Sequence, residues 1–359
     1  MSFYNPFTAE EKFWLRPLTF LGDTAEDTAP AILSSHICLA RNIQPFPFPQ
    51  AATVEQMLLI VDEITDTLAK IAPEQPFWSI PSAGLDEIDR QILRERKIIE
   101  QEFLHCGAGA HLIARPNECV SFQINCEDHL HILTHHAGLK LKEVYEEATQ
   151  WEKQLSDNLP FAFDEKFGFL TAAPEKAGTA LQASILLHLP GLVLSERLSP
   201  IVNGLKKLHY KIRGLYGDNN DNRGNMFLLT NTITMGIPEE ETIIELEHLA
   251  KEINDYERDA RLQLLEKQRA LLLDKVGRAY GMVRYAHLLS VDEMLLALSK
   301  LRLGVDLKLF ESIGVDTISN LFLWGLPAHL QKNGADSNNG FGLDFTRAQR
   351  FRMRMADLK

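Results

Sequence analysis

Three observations predict an α+β fold in which a sheet-rich part that also carries helices is followed by an all-helical unit. Residues 51–72 and 86–103 place apolar side chains at helical spacing, residues 110–232 carry period-two segments rich in β-branched and aromatic residues, and beyond Gly236 the strand pattern stops. At 359 residues the chain exceeds the usual size of one hydrophobic core, so one large domain plus a smaller one is expected.

The elements follow in order. After the two helical segments, "CVSFQIN" and "HLHILTH" read as strands joined by a turn at "NCED". A helix over "KLKEVYEEATQWEKQLSD" and strand-like "FGFLTA" and "ALQASILLHLP" come next. A further strand pair, "HYKIRGLYG" and "NMFLLTNTITMG", flanks the polar turn "DNNDNRGN". Pro238, with three glutamates behind it, starts a long helix expected to run to about residue 275. The remainder stays helical, with a capping box at Ser290–Glu293, a stop at Gly304 and a disordered-looking "KNGADSNNGFG".

Composition names no partner. The chain is 45% apolar and 24% charged, and its formal charge of −12 argues against a general nucleic-acid surface. The longest apolar run, "ASILLHLPGLVL", is too short to span a bilayer, and the N-terminus shows neither a signal-peptide core nor a lipidation pattern. A cytoplasmic protein without membrane or nucleic-acid partners is expected. Cys38, Cys106, Cys119 and Cys126 form no paired metal-knuckle spacing and read as reduced thiols.

Six segments, in this order, resemble the ATP:guanido phosphotransferases, and specifically the bacterial protein-arginine kinases of the McsB type. They are "SSHICLARN", "INCEDHLHI", "FGFLTAAPEKAGTALQAS", "RGLYGDNNDNRGNMFLLTN", "GRAYGMVRYAHLLSVDEMLLALSKLRLGVDL" and "LPAHLQ", and they cover nearly the whole chain. The resemblance implies a guanidino-kinase catalytic domain, an antiparallel sheet flanked by helices, over 1–255 and an all-helical, phosphoarginine-binding-like domain over 256–359. It also implies phosphoryl transfer from ATP, with Mg²⁺, to a guanidinium nitrogen. Such chemistry rests on cations that neutralise the triphosphate and a carboxylate that orients the acceptor.

The resemblance places Ser34, Ser35, His36, Cys38, Lys97, His131, Gln182 and Arg213 at the ATP site, and Glu127 and Asp218 as the catalytic carboxylates. Relatives have arginine at the positions of His36, Cys38, His131 and Gln182; of the five arginine positions, only Arg213 is retained here. Lys97 stands where relatives have a histidine, Cys126 where they have a glutamate, Asp218 where they have a glutamate, and Ala173 where they have a reactive cysteine. An ordinary histidine is mostly neutral at pH 7, so it does not replace arginine's permanent, two-pronged charge. A hydrogen bond to a charged group contributes roughly 1.5–3 kcal/mol, so four lost arginines forfeit roughly 6–12 kcal/mol if additive. Clustered residues couple strongly, yet half that range still removes several powers of ten in affinity or rate. The expectation is a catalytically impaired pseudokinase that acts as a binding or regulatory subunit in protein quality control. The alternative is an active kinase of protein arginine, with Lys97, Arg213 and Mg²⁺ standing in for the lost cations; a third reading is altered donor or acceptor specificity.

In the C-terminal segment the family's R-D-x-x-R-A motif meets Leu343, Asp344, Arg347 and Ala348, so Asp344 and Arg347 are placed as phosphoarginine-binding residues. The competing reading is a solvated basic helix carrying Arg350, Arg352 and Arg354. Partners implied by the resemblance are protein clients, a zinc-containing activator protein and a Clp-type ATPase, with a homodimer left open. No metal site of the chain itself is expected: zinc at Cys126, His129 and His131 lacks a standard spacing, and calcium at "DNNDN" lacks the full loop.

Overall fold

The computed structural model describes residues 3–21, 29–215, 223–310, 312–335 and 341–356. Its centre is a nine-stranded sheet built from β1 (Phe3–Tyr4), β2 (Ile32–Arg41), β3 (Phe77–Pro81), β4 (His111–Ala114), β5 (Val120–Ile124), β6 (Leu130–Ala137), β9 (Leu181–His188), β10 (Tyr210–Gly214) and β11 (Met226–Asn231). The order is β1-β3-β4-β5-β6-β2-β9-β11-β10. Every neighbour pair is antiparallel except β1 with β3, which makes the sheet mixed at that edge. β7 (Phe163–Asp164) and β8 (Gly168–Phe169) form a separate two-stranded ribbon. Strand structure in "FGFLTA" is thus confined to two residues outside the main sheet.

Alternation along β2 gives the sheet two unlike faces. Ile37 and Leu39 join Ile132, Ala183, Ile185 and Leu229 in one apolar core, covered by α1 (Val54–Ile71), α3 (Leu141–Ser156) and the first half of α6 (Glu239–Lys267), to which α4 (Pro190–Leu194) and α5 (Leu198–Lys207) add Leu192 and Leu205. α1 starts from a capping box between Thr53 and Gln56 and buries Ile60, Ile64 and Leu68 at helical spacing. α3 likewise turns in Leu141, Val144, Ala148, Trp151 and Leu155. His36, Cys38 and Ala40 emerge on the other face.

Three helical expectations are corrected. The helix expected over 86–103 is α2 (Glu87–Glu95); Arg96 then turns inward to pair with Glu118 at 2.9 Å, Lys97 takes φ +62°, and a short 3-10 turn covers Glu102–His105. The buried Arg96–Glu118 pair, with carbonyls of Arg16 and Pro17 on the same guanidinium, pulls the chain out of helical register. The long helix expected to residue 275 breaks at Gln268 (φ −131°), and α7 runs over Arg269–Tyr285. Its buried residues Leu272, Val276, Ala279 and Val283 face other helices of the C-terminal unit rather than the sheet. Gly304 does not stop α8 (Val291–Asp306): a Cβ there would lie 2.8 Å from Val276 Cγ1, so glycine permits a close crossing. The capping box at Ser290–Glu293 is present in both directions, and Pro238 is the N-cap of α6 with Glu239, Glu240 and Glu241 in the first turn. Of "KNGADSNNGFG", residues 332–342, the span 336–340 lies outside the described residues, while Lys332 and Gly342 are helical rather than disordered.

α7 and α8 pack with α9 (Val315–Gly325), α10 (Pro327–Lys332) and α11 (Gly342–Ala356) around Met294, Leu298, Leu321, Phe322 and Phe351. α10 fastens this unit to α2: Lys332 pairs with Asp89, and His329 Nδ1 meets Glu95 Oε2 at 2.7 Å. The helical unit is therefore tied through α10 to the helix that precedes Lys97. Among the described residues no helix is long and apolar enough to cross a membrane.

Candidate functional site

Register brings the sequence-predicted residues onto the face of the sheet opposite α1 and α3, part of which, at Leu186 and Leu228, packs on the helical unit. His36 pairs across to His135 and Ser184, Cys38 to Leu133 and Gln182, and Ala40 to His131; on the far side Arg213 pairs with Leu228, itself opposite Leu186. Three adjoining cavities run along this face. One of about 70 Å³ is lined by His36, Arg94, Lys97, Ser184 and Arg213, among others. One of about 30 Å³ contacts His36, Cys38, Lys97, Gln182 and Arg213. The third, about 220 Å³, is bounded by Cys38, His131, Lys176, Gln182 and Thr234. Drug-sized ligands usually occupy about 300–1,000 Å³, so each compartment is small by that measure.

Ser34 shares the His36 face of β2 but is fully buried, and Ser35 points to the opposite face. Ser34 Oγ meets His36 Nε2 at 2.7 Å, while Ser35 Oγ donates to the Gly138 carbonyl and accepts from Lys140 N–H. Ser34 therefore orients His36, and Ser35 ties β2 to the exit of β6. Arg41, at the end of β2, is a buried anchor: its Nε donates to Glu152 at 2.7 Å, and its guanidinium lies 3.6 Å from the Phe169 ring centre.

The electrostatics differ between the compartments. Burial, with His135 and Lys97 nearby, holds the His36 imidazole well below its ordinary pKa, so it is neutral at pH 7. Burial likewise pushes the Cys38 thiol far up. Lys97 falls to about 8 through burial, reinforced by Arg94 and Arg213 and opposed by Glu100. The positive charge of the 70 Å³ cavity thus comes from Arg94, Lys97 and Arg213.

The turn between β5 and β6 carries the carboxylates. Asn125 takes φ +57° and donates through Nδ2 to the Met57 and Gly109 carbonyls, which fixes the entry to the turn. Asp128 Oδ1 accepts from Asn42 at 2.6 Å and from Ala172 N–H at 2.7 Å, and its Oδ2 faces His131 Nε2 at 3.3 Å. Burial alone would raise this carboxyl, but those hydrogen bonds outweigh it and hold its pKa low. Glu127, next to it, accepts a hydrogen bond from Lys176 Nζ. For Lys176, burial works against the charged form, yet the bond and charge of Glu127 more than compensate and raise its pKa. Lys176 was not among the residues picked out by sequence; the signal lay three positions beyond Ala173, in a loop judged only by its missing cysteine.

The residues weighed and set aside as a zinc set, Cys126, His129 and His131, face different partners. His129 accepts at Nδ1 from Ile43 N–H and meets the Pro47 carbonyl with Nε2, so both ring nitrogens are engaged, and Cys126 faces Cys106. Among the described residues Glu127, Asp128 and His131 do place one donor atom each within 4.8 Å of one another. Asp218, and with it the calcium reading of "DNNDN", lies outside the described residues.

In the helical unit Asp344 and Arg347 face each other: Arg347 Nη1 donates to Asp344 at 2.7 Å. Arg347 is buried, and it also donates to the Gly325 and Leu289 carbonyls at 2.7 and 2.6 Å. Arg350 and Arg354 instead line an open cavity of about 440 Å³ with Leu15, Trp324, Asn333 and Met353.

Comparison with known proteins places this geometry. Residues 59–260 match the family described as ATP:guanido phosphotransferase, C-terminal catalytic domain, and residues 269–359 match the protein-arginine kinase McsB C-terminal domain. The chain is 35% identical over 340 residues to a protein-arginine kinase of Desulforamulus reducens, covering 93% of this chain and 95% of that protein. It is 32% identical over 324 residues to one of Halothermothrix orenii, covering 90% and 93%. In fold it is similar to the duplicated taurocyamine kinase of Schistosoma mansoni (TM-score 0.58, 22% identity, 75% of this chain and 40% of that one). A lombricine kinase gives a TM-score of 0.57 at 19% identity over 72% of each chain.

Proposed function

From the premise that this chain belongs to the protein-arginine kinase family of ATP:guanido phosphotransferases, we propose that it is a catalytically impaired member, a cytoplasmic pseudokinase that acts by binding rather than by phosphoryl transfer. The observation that carries this reading is the engagement of Glu127 by Lys176: the carboxylate that should meet a substrate guanidinium already holds a cation of the chain. The phosphate side agrees with it. His36 is neutral, Cys38 is a protonated thiol and Gln182 has no charge, so three of the four replaced arginine positions supply no cation.

The fit to ATP and Mg²⁺, which the family uses, is poor on this reading. Arg94, Lys97 and Arg213 offer charge at one end of a divided crevice, whereas a triphosphate needs cations along its length. Glu127 and Asp128 are occupied by Lys176, Asn42, Ala172 and His131, which compete with a divalent ion for the same oxygens. The binding role assigned to the helical unit is recognition of protein clients or phosphoarginine, in company with a zinc-containing activator and a Clp-type ATPase. Asp344 and the open cavity beside Arg350 and Arg354 are the surfaces for it, since Arg347 is enclosed. Calorimetry with Mg·ATP and with phosphoarginine tests this reading: heat from phosphoarginine but not from Mg·ATP supports it, and tight Mg·ATP binding without phosphoarginine binding overturns it.

One observation favours the second reading, an active protein-arginine kinase. Arg94, Lys97 and Arg213 line a cavity linked to the one bounded by Lys176 through the small one between them, so Lys176 would have only to leave Glu127 for cations and carboxylate to face one crevice.

A further inference from the structure

Cys106 and Cys126 line none of the three cavities of the kinase-like site, yet their sulfurs lie 2.8 Å apart, closer than non-bonded sulfurs ordinarily approach. The fold makes this meeting systematic. Cys106 precedes β4 and Cys126 follows β5, and the antiparallel register that pairs His111 with Ile124 returns both flanks to the same end of the hairpin. Each flank is fixed by bonds that do not involve sulfur. The Cys106 carbonyl accepts from Ser82 Oγ at 2.8 Å, and Cys126 N–H donates to the Asp128 carbonyl at 3.2 Å. All four cysteines are free, and both of these are partly exposed.

We propose that Cys106 and Cys126 form an oxidisable dithiol, a modification site at which a peroxide converts two thiols into a disulfide across the open end of the β4–β5 hairpin. Closing from 2.8 Å to a bond of about 2.05 Å takes under about 1 Å of motion. The chemistry assigns the order of attack. The contact with Cys126, with the Arg90 guanidinium 3.4 Å from the Cys106 carbonyl, lowers the Cys106 pKa against the effect of burial, whereas Cys126 is pushed up. Cys106 is therefore the thiolate that reacts first.

The Cys106 thiolate attacks one oxygen of hydrogen peroxide; the S–O bond forms, the O–O bond breaks, and the departing hydroxide takes up a proton as water. Cys106 is then a sulfenic acid. Cys126 gives up its proton and attacks that sulfur; the S–S bond forms, the S–O bond breaks, and a second water leaves. Two thiols lose two electrons in all, and one peroxide becomes two waters. The product ties the turn that presents Glu127 to the segment after the Glu102–His105 turn.

The test treats the full chain with hydrogen peroxide, alkylates it after denaturation and maps the peptides by mass. The expected result is a Cys106–Cys126 linked pair, lighter by two hydrogens and restored by dithiothreitol, with Cys38 and Cys119 still alkylated. Full alkylation of Cys106 and Cys126, their overoxidation without a link, or a link from either to Cys119 overturns the proposal. A Cys126→Ser chain, checked for native melting, should carry oxidised Cys106 with no internal disulfide; an internal disulfide at Cys106 in that variant also overturns it.

Discussion

Lys176 Nζ donates a hydrogen bond to Glu127 Oε2 across the turn that opens β6, and the loop from Ala173 to Gly178 sets that contact. The pair is only partly buried, so its own contribution to stability is small, about 0–1 kcal/mol. Its importance is positional, because it decides which cation the carboxylate meets.

Gly178 holds the loop in place. With φ +105°, a Cβ there would lie 2.3 Å from the Thr234 carbonyl oxygen, and Gly178 O and N already bond to Phe169. Gly178→Ala should destabilise the chain by about 1–3 kcal/mol and loosen the Lys176 side of the crevice. Denaturant unfolding measures the first; an unchanged midpoint would show that the loop is not held as described.

Arg347 is a structural residue of the helical unit. Arg347→Met leaves the Gly325 and Leu289 carbonyls and Asp344 without their donor, and should cost about 3–5 kcal/mol, whereas Arg350→Met, which loses only one long bond to the Asn333 carbonyl, should cost far less. Paired melts of the two variants check the difference.

His136 gives the fold a dependence on pH. Hydrogen bonds to Cys119 and then Glu147 push its pKa up to about 9 from an ordinary 6.5, against the effect of burial. A histidine raised on folding stabilises fully below its unfolded pKa and loses that contribution as pH rises through the folded one. The stability gap between the native chain and Glu147→Gln should therefore be widest below pH 6.5 and shrink as pH rises through about 9. A gap that grows over the same interval would reverse the assignment.

Much of this arrangement is legible in the sequence because it rests on short-range rules. Alternation in "SSHICLARN" already separates His36 and Cys38 from Ile37 and Leu39, and the Ser290–Glu293 box announces α8. What escapes is decided by tertiary packing. Nothing local marks Gln268, neither glycine nor proline, yet α6 follows the sheet and α7 the helical unit, so the chain must turn there. Arg96 ends α2 early for a partner, Glu118, that lies in another loop. Lys176 and the Cys106–Cys126 pair depend on register between distant segments, which no spacing within one segment can report.

The central claim is that a kinase scaffold here no longer transfers phosphate, and the most direct measurement is incubation of the purified chain with γ-labelled ATP, Mg²⁺ and an arginine-rich protein, with and without the activator protein. The account predicts no acid-labile label on the protein in either case. Acid-labile label that appears with the native chain and disappears with Glu127→Gln would contradict it.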